Sequence, residues 1–411
     1  MRVTEPALMQ TGAVAALACG LLASPAAVSA QRLTGEVVVE AGGAVVDNPY
    51  LDESDSNVTA SGTVQVRPRL TYDSSVTQVD LTALAQGKAY ADRYDFEDNY
   101  GVSVGISHRA SERIQLRATG AFTSSVARGS DLFPRVFPGD GPALPETPGP
   151  LPIDDITTLG QRGRTNALSL GSGVDYTIDA RNRLTFDNTY QRLTFDQPNA
   201  SDYSIFQGEA RYTRVLTEST SVGAIVGYQI SDYTDPLTSD ARTVLGLASV
   251  SHRLDEAWSL SASLGVNRTR SEGTVGRPSR TATTLASRAT VCRRDSREAL
   301  CIEFRRQPQP AAFGGVRNST AASVNYNYRL SERETITLGG SYSRTGGFDD
   351  AVAPLQPATF VGVRGRYDRR LSQRLTAYAE ASVDRIYRSD LSVEPRKRIG
   401  VGISYTFGRT R

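Results

Sequence analysis

Histidine is almost absent from this chain of 411 residues, which contains only His108 and His252, and its lysines are limited to Lys88 and Lys397. Metal centres and histidine-assisted hydrolysis need several ligands or bases at a fixed spacing, and neither histidine has such companions. Each follows a serine and precedes an arginine at the end of an alternating segment. We therefore expect no catalytic, metal-binding or cofactor-binding residue, and we interpret both rings as interfacial side chains with a polar tip.

Long hydrophobic runs are also missing: beyond residue 30, no stretch approaches the roughly 18 apolar residues that a membrane-spanning helix needs. Residues 1–30 are typical of a secretory signal, because a short apolar run is followed by the small residues Val28, Ser29 and Ala30. We expect cleavage before Gln31 and a single all-β domain over residues 31–411. The formal charge of +2 gives no reason to expect a nucleic-acid partner.

The last segment of the chain, residues 398–407, shows the pattern that most earlier segments repeat. One parity is apolar and ends in two aromatic rings, and the other is polar or small. The apolar parity is Ile399, Val401, Ile403, Tyr405 and Phe407, and the other is Arg398, Gly400, Gly402, Ser404 and Thr406. Since successive side chains of a strand point to opposite faces, this pattern predicts a two-faced β-strand.

Tyrosine or histidine residues just before polar turns mark a regular period along the chain. They are Tyr72, His108, Tyr176, Tyr212, His252, Tyr328, Tyr367 and Tyr405. Most intervals are 36 to 40 residues, which fits one hairpin of two strands with a turn and a loop. The predicted turns lie at residues 73–76, 109–112, 179–182, 215–219, 253–256, 293–298, 331–334 and 369–373.

Two intervals are about twice as long. The first contains residues 128–162, whose seven prolines cannot supply a strand ladder, so this is a long loop after the fifth strand. The second contains Cys292 and Cys301 on either side of a polar turn. A hairpin there gives 18 strands, and a loop there gives 16. Both cysteines lie on the inner parity of a secreted chain, opposite each other, so we expect a disulfide.

The polar parity of these strands is too rich in charge for a dry core between two packed sheets. It suits the water-filled interior of a closed antiparallel transmembrane barrel, with the apolar parity facing lipid. The inner-facing arginines are Arg67, Arg69, Arg117, Arg211, Arg364, Arg366 and Arg398. They either line an anion path or pair with Asp80, Glu209, Glu380 and Asp384, and we favour pairing because water screens charges over about 8 Å.

With these features the chain resembles Gram-negative outer-membrane porins, and within them the family called β-barrel porin 2. Gly402, Tyr405 and Phe407 look like the C-terminal signal that the barrel-assembly machinery binds, although Gly408-Arg409-Thr410-Arg411 follows it here. The resemblance implies short periplasmic turns and longer extracellular loops. It also implies that the long loop folds inward as a constriction, with Asp131, Asp140, Glu146, Asp154 and Asp155 facing wall arginines; an external flap is the alternative.

The function implied is a non-enzymatic channel in the outer membrane of a Gram-negative bacterium, for passive diffusion of small hydrophilic solutes. The expected partners of the barrel wall are outer-membrane lipids and lipopolysaccharide. Some relatives are associated with exopolysaccharide operons, so a barrel that assists polysaccharide export is the alternative, and an outer-membrane hydrolase is a distant third. The oligomeric state stays open.

Overall fold

The computed structural model of the protein describes residues 32–51, 58–92, 94–126, 156–159, 163–197, 200–273, 278–312, 315–346, 357–388 and 393–408. The expected signal at residues 1–30 lies outside these ranges, as do the five loop carboxylates Asp131, Asp140, Glu146, Asp154 and Asp155. No helix within the described ranges is long and apolar enough to cross a membrane.

The described residues form eighteen β-strands. Their bounds are β1 (Arg32–Asp47), β2 (Val58–Asp73), β3 (Thr77–Tyr90), β4 (Glu97–Arg109), β5 (Ile114–Ser125), β6 (Thr165–Thr177), β7 (Asn182–Phe195), β8 (Tyr203–Val215), β9 (Thr220–Tyr233), β10 (Ala241–Arg253), β11 (Trp258–Ser271), β12 (Arg280–Arg294), β13 (Glu298–Ala311), β14 (Gly315–Ser331), β15 (Glu334–Gly346), β16 (Ala358–Arg370), β17 (Leu375–Tyr387) and β18 (Arg396–Gly408). A short 3-10 helix, Ile156–Thr158, precedes β6.

The sheet closes on itself. Each strand pairs antiparallel with its neighbours in sequence, and β1 also pairs with β18 from Glu36 opposite Gly408 to Asp47 opposite Lys397. The predicted closed antiparallel barrel of 18 strands is therefore confirmed. The alternative of 16 strands is wrong, because β12 and β13 form a hydrogen-bonded hairpin around the two cysteines.

The eight predicted polar turns are confirmed, and all of them lie at one end of the barrel. Their chemistry is local, as the turn before β7 illustrates. The Asp179 carboxylate accepts hydrogen bonds from the backbone N–H groups of Arg181 and Asn182, at 2.8 and 2.9 Å. The hydrogen bond from the Asn182 side chain and these backbone bonds lower the pKa of Asp179 below its ordinary value. Such a turn fixes the register of the strands that it joins.

The two parities face opposite sides of the wall. Large apolar side chains such as Val226, Leu264, Val363, Ile399 and Val401 are exposed on the outer surface. On the other parity, side chains from strands that are not neighbours meet each other, which is geometrically feasible only across the interior. Examples are the ion pairs Arg366–Glu40 and Arg288–Glu209. The apolar belt is therefore outside, and the charged residues line the lumen.

Candidate functional site

A group of charged residues on β16, β17, β18 and β1 occupies one side of the lumen. Arg366 is its centre: its Nη1 lies 3.3 Å from Glu40 Oε1, and its Nε lies 2.9 Å from Asp368 Oδ1. The Arg398 Nη2 lies 2.8 Å from Glu380 Oε1, and Glu380 also lies 4.0 Å from Arg366. The Glu40 side chain is only 5% exposed. These ion pairs support the sequence prediction that lumen arginines are paired.

The aromatic ring of Tyr378 packs against this charged group. The guanidinium carbon of Arg366 lies 3.9 Å from the centre of the Tyr378 ring, a cation–π contact. The ring in turn lies over two glycines that face each other in the sheet, Gly42 on β1 and Gly402 on β18. A Cβ atom at Gly42 would lie 2.5 Å from Tyr378 Oη and 2.9 Å from the Val401 carbonyl oxygen. Glycine is therefore needed there for the ring to approach the wall.

We expect Gly42→Ala to displace Tyr378 and to destabilise the barrel by about 1–3 kcal/mol, the usual cost of overpacking. Gly62→Ala is the matched control, because a Cβ atom at Gly62, on β2, meets nothing within 4 Å. Urea unfolding followed by tryptophan fluorescence would measure both variants. Equal stability of the two variants would contradict the proposed stacking.

A second charged group lies on the opposite side of the lumen. Arg117 on β5 contacts Asp175 on β6 and Asp187 on β7, each with an N–O distance of 2.9 Å. Next to it, Glu209 on β8 lies 2.7 Å from Arg211 and 3.1 Å from Arg288 on β12. The Arg288–Glu209 pair links strands that are four positions apart around the barrel. It therefore crosses part of the interior.

An apolar patch lies on the inner wall between these two strands. Ile225 on β9, Leu247 on β10 and Ala286 on β12 form a cluster in which each side chain is at most 5% exposed, with Leu245 packed against it. Apolar side chains facing a hydrated lumen are normally exposed to water. The Arg288–Glu209 pair spans the same strands, from β8 to β12.

At the loop end of the barrel, the described tail of the long loop packs against the inner wall. Ile156 and Leu159 lie in a buried cluster with Phe360 on β16 and Ile386 on β17. Phe360 and Ile386 share the inward parity of Arg366 and Glu380. Arg388 Nη2 donates a hydrogen bond to the Leu159 carbonyl oxygen at 3.3 Å. Thus these loop residues lie inside the barrel, far from β5 and β6, which the loop connects.

The end of the β13–β14 hairpin also leans inward. β12 and β13 pair from Arg294–Ala299 to Ser287–Arg306, whereas β13 and β14 continue pairing as far as Ala311–Gly315. Ala312 packs against a cluster on β7 and β8 that comprises Leu193, Phe195, Tyr203 and Ile205. The Ala312 carbonyl accepts a hydrogen bond from the Ser201 N–H at 2.9 Å. A second segment therefore covers part of the loop-side opening.

Three tyrosines join loops on a third side of this opening. The ring centres of Tyr50, Tyr90 and Tyr94 lie 5.1 to 6.2 Å apart. The Tyr90 hydroxyl donates to Glu97 Oε1 at 3.1 Å, and the Tyr50 hydroxyl donates to the same atom. Lys88 Nζ lies 3.9 Å from Glu97. One of the chain's two lysines thus compensates a buried carboxylate at the rim.

The predicted lumen arginines all lie on the inward parity of their strands. Asp80 pairs with Arg69 at 3.1 Å, and Glu209 and Glu380 pair with predicted arginines as described above. Asp384 pairs at 2.7 Å with Arg396, which the sequence analysis did not single out. Glu40, Asp175, Arg288 and Tyr378 were missed as well. Their inward parity is visible in the sequence, but parity alone does not give the partner. Glu40 and Arg288 meet partners on distant strands, whereas Asp175 and Tyr378 meet partners on adjacent strands.

The two histidines and the aromatic residues of the predicted assembly signal lie on the outer wall. His108 and His252 each place Nδ1 2.8 Å from the hydroxyl of a facing threonine, Thr77 and Thr220. Among the described residues, no cluster of side chains has the composition of a metal site. In the predicted assembly signal, the outward rings of Tyr405 and Phe407 are 4.6 Å apart.

Cys292 and Cys301 lie directly opposite each other in the β12–β13 ladder, with their Cα atoms 4.2 Å apart, and they form a disulfide. We expect peptide mapping of the non-reduced protein by mass spectrometry to find these two cysteines linked. Replacing both with serine should cost only about 2–3 kcal/mol of stability, because the enclosed loop is short. Free thiols at both positions in protein from the native envelope would refute this prediction.

Comparisons with known proteins concern the barrel architecture. No protein-family model matches the chain, and no curated protein sequence matches it significantly, so membership of β-barrel porin 2 stays a prediction. The structure is similar to that of Pseudomonas aeruginosa OccK2 (OpdF), with a TM-score of 0.45 and 12% identity over 92% of this chain and 100% of that one. For P. aeruginosa OpdO the TM-score is 0.43 at 12% identity, over 92% and 97%. For the FrpB iron transporter of Neisseria meningitidis it is 0.46 at 7% identity, over 91% and 82%.

Proposed function

We propose that this protein is a non-enzymatic outer-membrane channel through which small hydrophilic solutes diffuse passively. The observation that carries the proposal is the division of the closed wall into an apolar outer surface and a charged lumen. An apolar belt of this kind stabilises a barrel in lipid, whereas the lumen charges require water. A water-filled barrel that crosses a membrane is a path for solutes.

The loop-side segments favour small solutes over a polymer. Five residues lie between Leu159 and Thr165, the first residue of β6, so the Cα atoms of these two residues are at most about 20 Å apart. Leu159 nevertheless packs near β16 and β17, on a distant part of the wall. The described tail of the loop, Ile156 to Leu159, therefore occupies the opening beside β16 and β17. Together with Ala312 from the other side, it supports a constriction at the mouth.

Because the lumen charges are paired, we expect the channel to select only weakly between anions and cations. The groups around Arg366 and Glu209 each combine arginines with carboxylates at distances of 2.7 to 4.0 Å. Such pairs produce a local transverse field, but water screens it beyond about 8 Å at physiological salt. Solute size should then matter more than solute charge.

Swelling of proteoliposomes tests this function without any energy source. We expect neutral sugars to enter vesicles that contain the protein at rates that fall steeply with increasing sugar size. Vesicles that contain the protein in unfolded form serve as the control. Absence of uptake for the smallest sugars by folded, inserted protein would contradict passive diffusion.

A further inference from the structure

The outer surface carries arginines at a common level. On β7, β11, β15 and β17, an outward arginine stands ten residues after the first residue of the strand: Arg192, Arg268, Arg344 and Arg385. Ten residues of a strand tilted by about 40° rise roughly 25 Å, which is the height of the apolar band of a membrane barrel. These arginines therefore mark the edge of the band on the loop side.

Two arginines at this edge share one row of the sheet. Arg306 on β13 lies opposite Thr320 on β14, and Thr320 lies opposite Arg344 on β15. The row continues on both sides with hydroxyl groups, Ser287 on β12 and Thr359 on β16. Both arginine side chains are exposed. Five neighbouring strands thus present two guanidinium groups and three hydroxyl groups, without a carboxylate among them.

The next outward row toward the turns is apolar. It comprises Ala289, Phe304, Ala322, Tyr342 and Val361, paired in that order across β12 to β16. Along each of these strands, the outward side chain changes from apolar to polar between two successive outward positions, for example from Phe304 to Arg306. This abrupt change is expected where acyl chains end and lipid headgroups begin.

Arg306 and Arg344 carry the positive charge of this row. In the part of the chain that the structure describes, neither Arg306 nor Arg344 has a carboxylate within ion-pairing distance. Their Cα atoms are two strand spacings apart, about 10 Å, so both side chains can converge above Thr320. Two guanidinium groups around a hydroxyl donor provide the forked donor geometry that a phosphate accepts.

We propose that Arg306, Thr320 and Arg344 form a binding site for the phosphate group of a lipid in the loop-side leaflet. Arg192 and Arg385 belong to the same level but lack a second arginine across the ladder: Arg192 lies opposite Leu168 and Ser204, and Arg385 lies opposite Val361. They would contact headgroups singly. The proposal rests on the proposed function only in that the barrel lies in a membrane.

The test compares Arg306→Gln/Arg344→Gln with the control Arg192→Gln/Arg385→Gln. Native mass spectrometry of the detergent-solubilised full chain would titrate each protein with diphosphorylated lipid A, its dephosphorylated form and phosphatidylglycerol. We expect the first variant to bind diphosphorylated lipid A about tenfold more weakly than the unchanged protein, because two charge-assisted contacts are lost. The control variant should stay within about twofold, since it leaves the row intact.

Two results would overturn the site. One is equal binding of lipid A by both variants, and the other is equal binding of the phosphorylated and dephosphorylated lipids by the unchanged protein. Phosphatidylglycerol that competes as strongly as lipid A would support a phosphate site and assign it to glycerophospholipids. Sugar uptake is measured on the same proteins. If these proteins bind lipid A but take up no sugar, the channel function is refuted and the lipid site is retained.

Discussion

Replacing Ile156 and Leu159 together with serine should raise the single-channel conductance about twofold, by releasing the loop tail from the mouth of the barrel. Both side chains are nearly fully buried against the inner wall of β16 and β17. Removing a buried aliphatic side chain of this size costs about 2–5 kcal/mol, which a short anchored segment cannot replace from other contacts. The strand ladder is untouched, so the barrel itself should assemble normally.

The matched control for this variant is Leu237→Ser combined with Leu254→Ser. Both leucines are exposed, at 62% and 60%, in the β9–β10 loop and the β10–β11 turn. The control changes the same kind of side chain without removing a packing contact, so its conductance should equal that of the unchanged protein. An unchanged conductance in the Ile156/Leu159 variant would show that this segment does not restrict the ion path.

Replacing Arg366 with glutamine should have the largest effect on ion selectivity. Its guanidinium group contacts Glu40, Asp368 and Glu380, and it is 18% exposed. Without it, Glu40, Asp368 and Glu380 lose a cation that they share, although Arg398 still contacts Glu380. We expect the reversal potential in a salt gradient to shift toward cation selectivity, and we expect a loss of stability of about 3 kcal/mol.

Arg344→Gln is the control for the Arg366 variant, because Arg344 lies on the neighbouring strand β15 but faces outward. It removes the same charge from the chain without changing the lumen. Its reversal potential should match that of the unchanged protein. The lumen account would be contradicted by equal shifts in the two variants, since the effect would then reflect net charge alone.

The barrel could be predicted from the sequence because its determinants are local. Each strand alternates between two parities, and each polar turn fixes the register of the strands beside it, as Asp179 does before β7. The hairpin of Cys292 and Cys301 decided the strand number for the same reason. Alternation and turn chemistry are both properties of short segments, so no knowledge of distant contacts was needed.

The details of the lumen depend on curvature and could not be predicted in the same way. Arg288 meets Glu209 across four strands, and Glu40 meets Arg366 across three, so both pairings depend on how the wall bends. Asp384 pairs with Arg396 on the adjacent strand, an arginine that the sequence analysis did not single out. The inward lean of Ala312 has no sequence signature either, because alanine fits both a loop and a packed interface.

Recording ionic current across a planar lipid bilayer that contains the purified protein tests the central claim most directly. A closed barrel with an apolar outer belt and a charged, hydrated lumen should insert and produce discrete, reproducible current steps. These steps should persist without any energy source and vary in proportion to the salt concentration. Protein that is shown to be folded and inserted, yet passes no current at any applied voltage, would contradict the account.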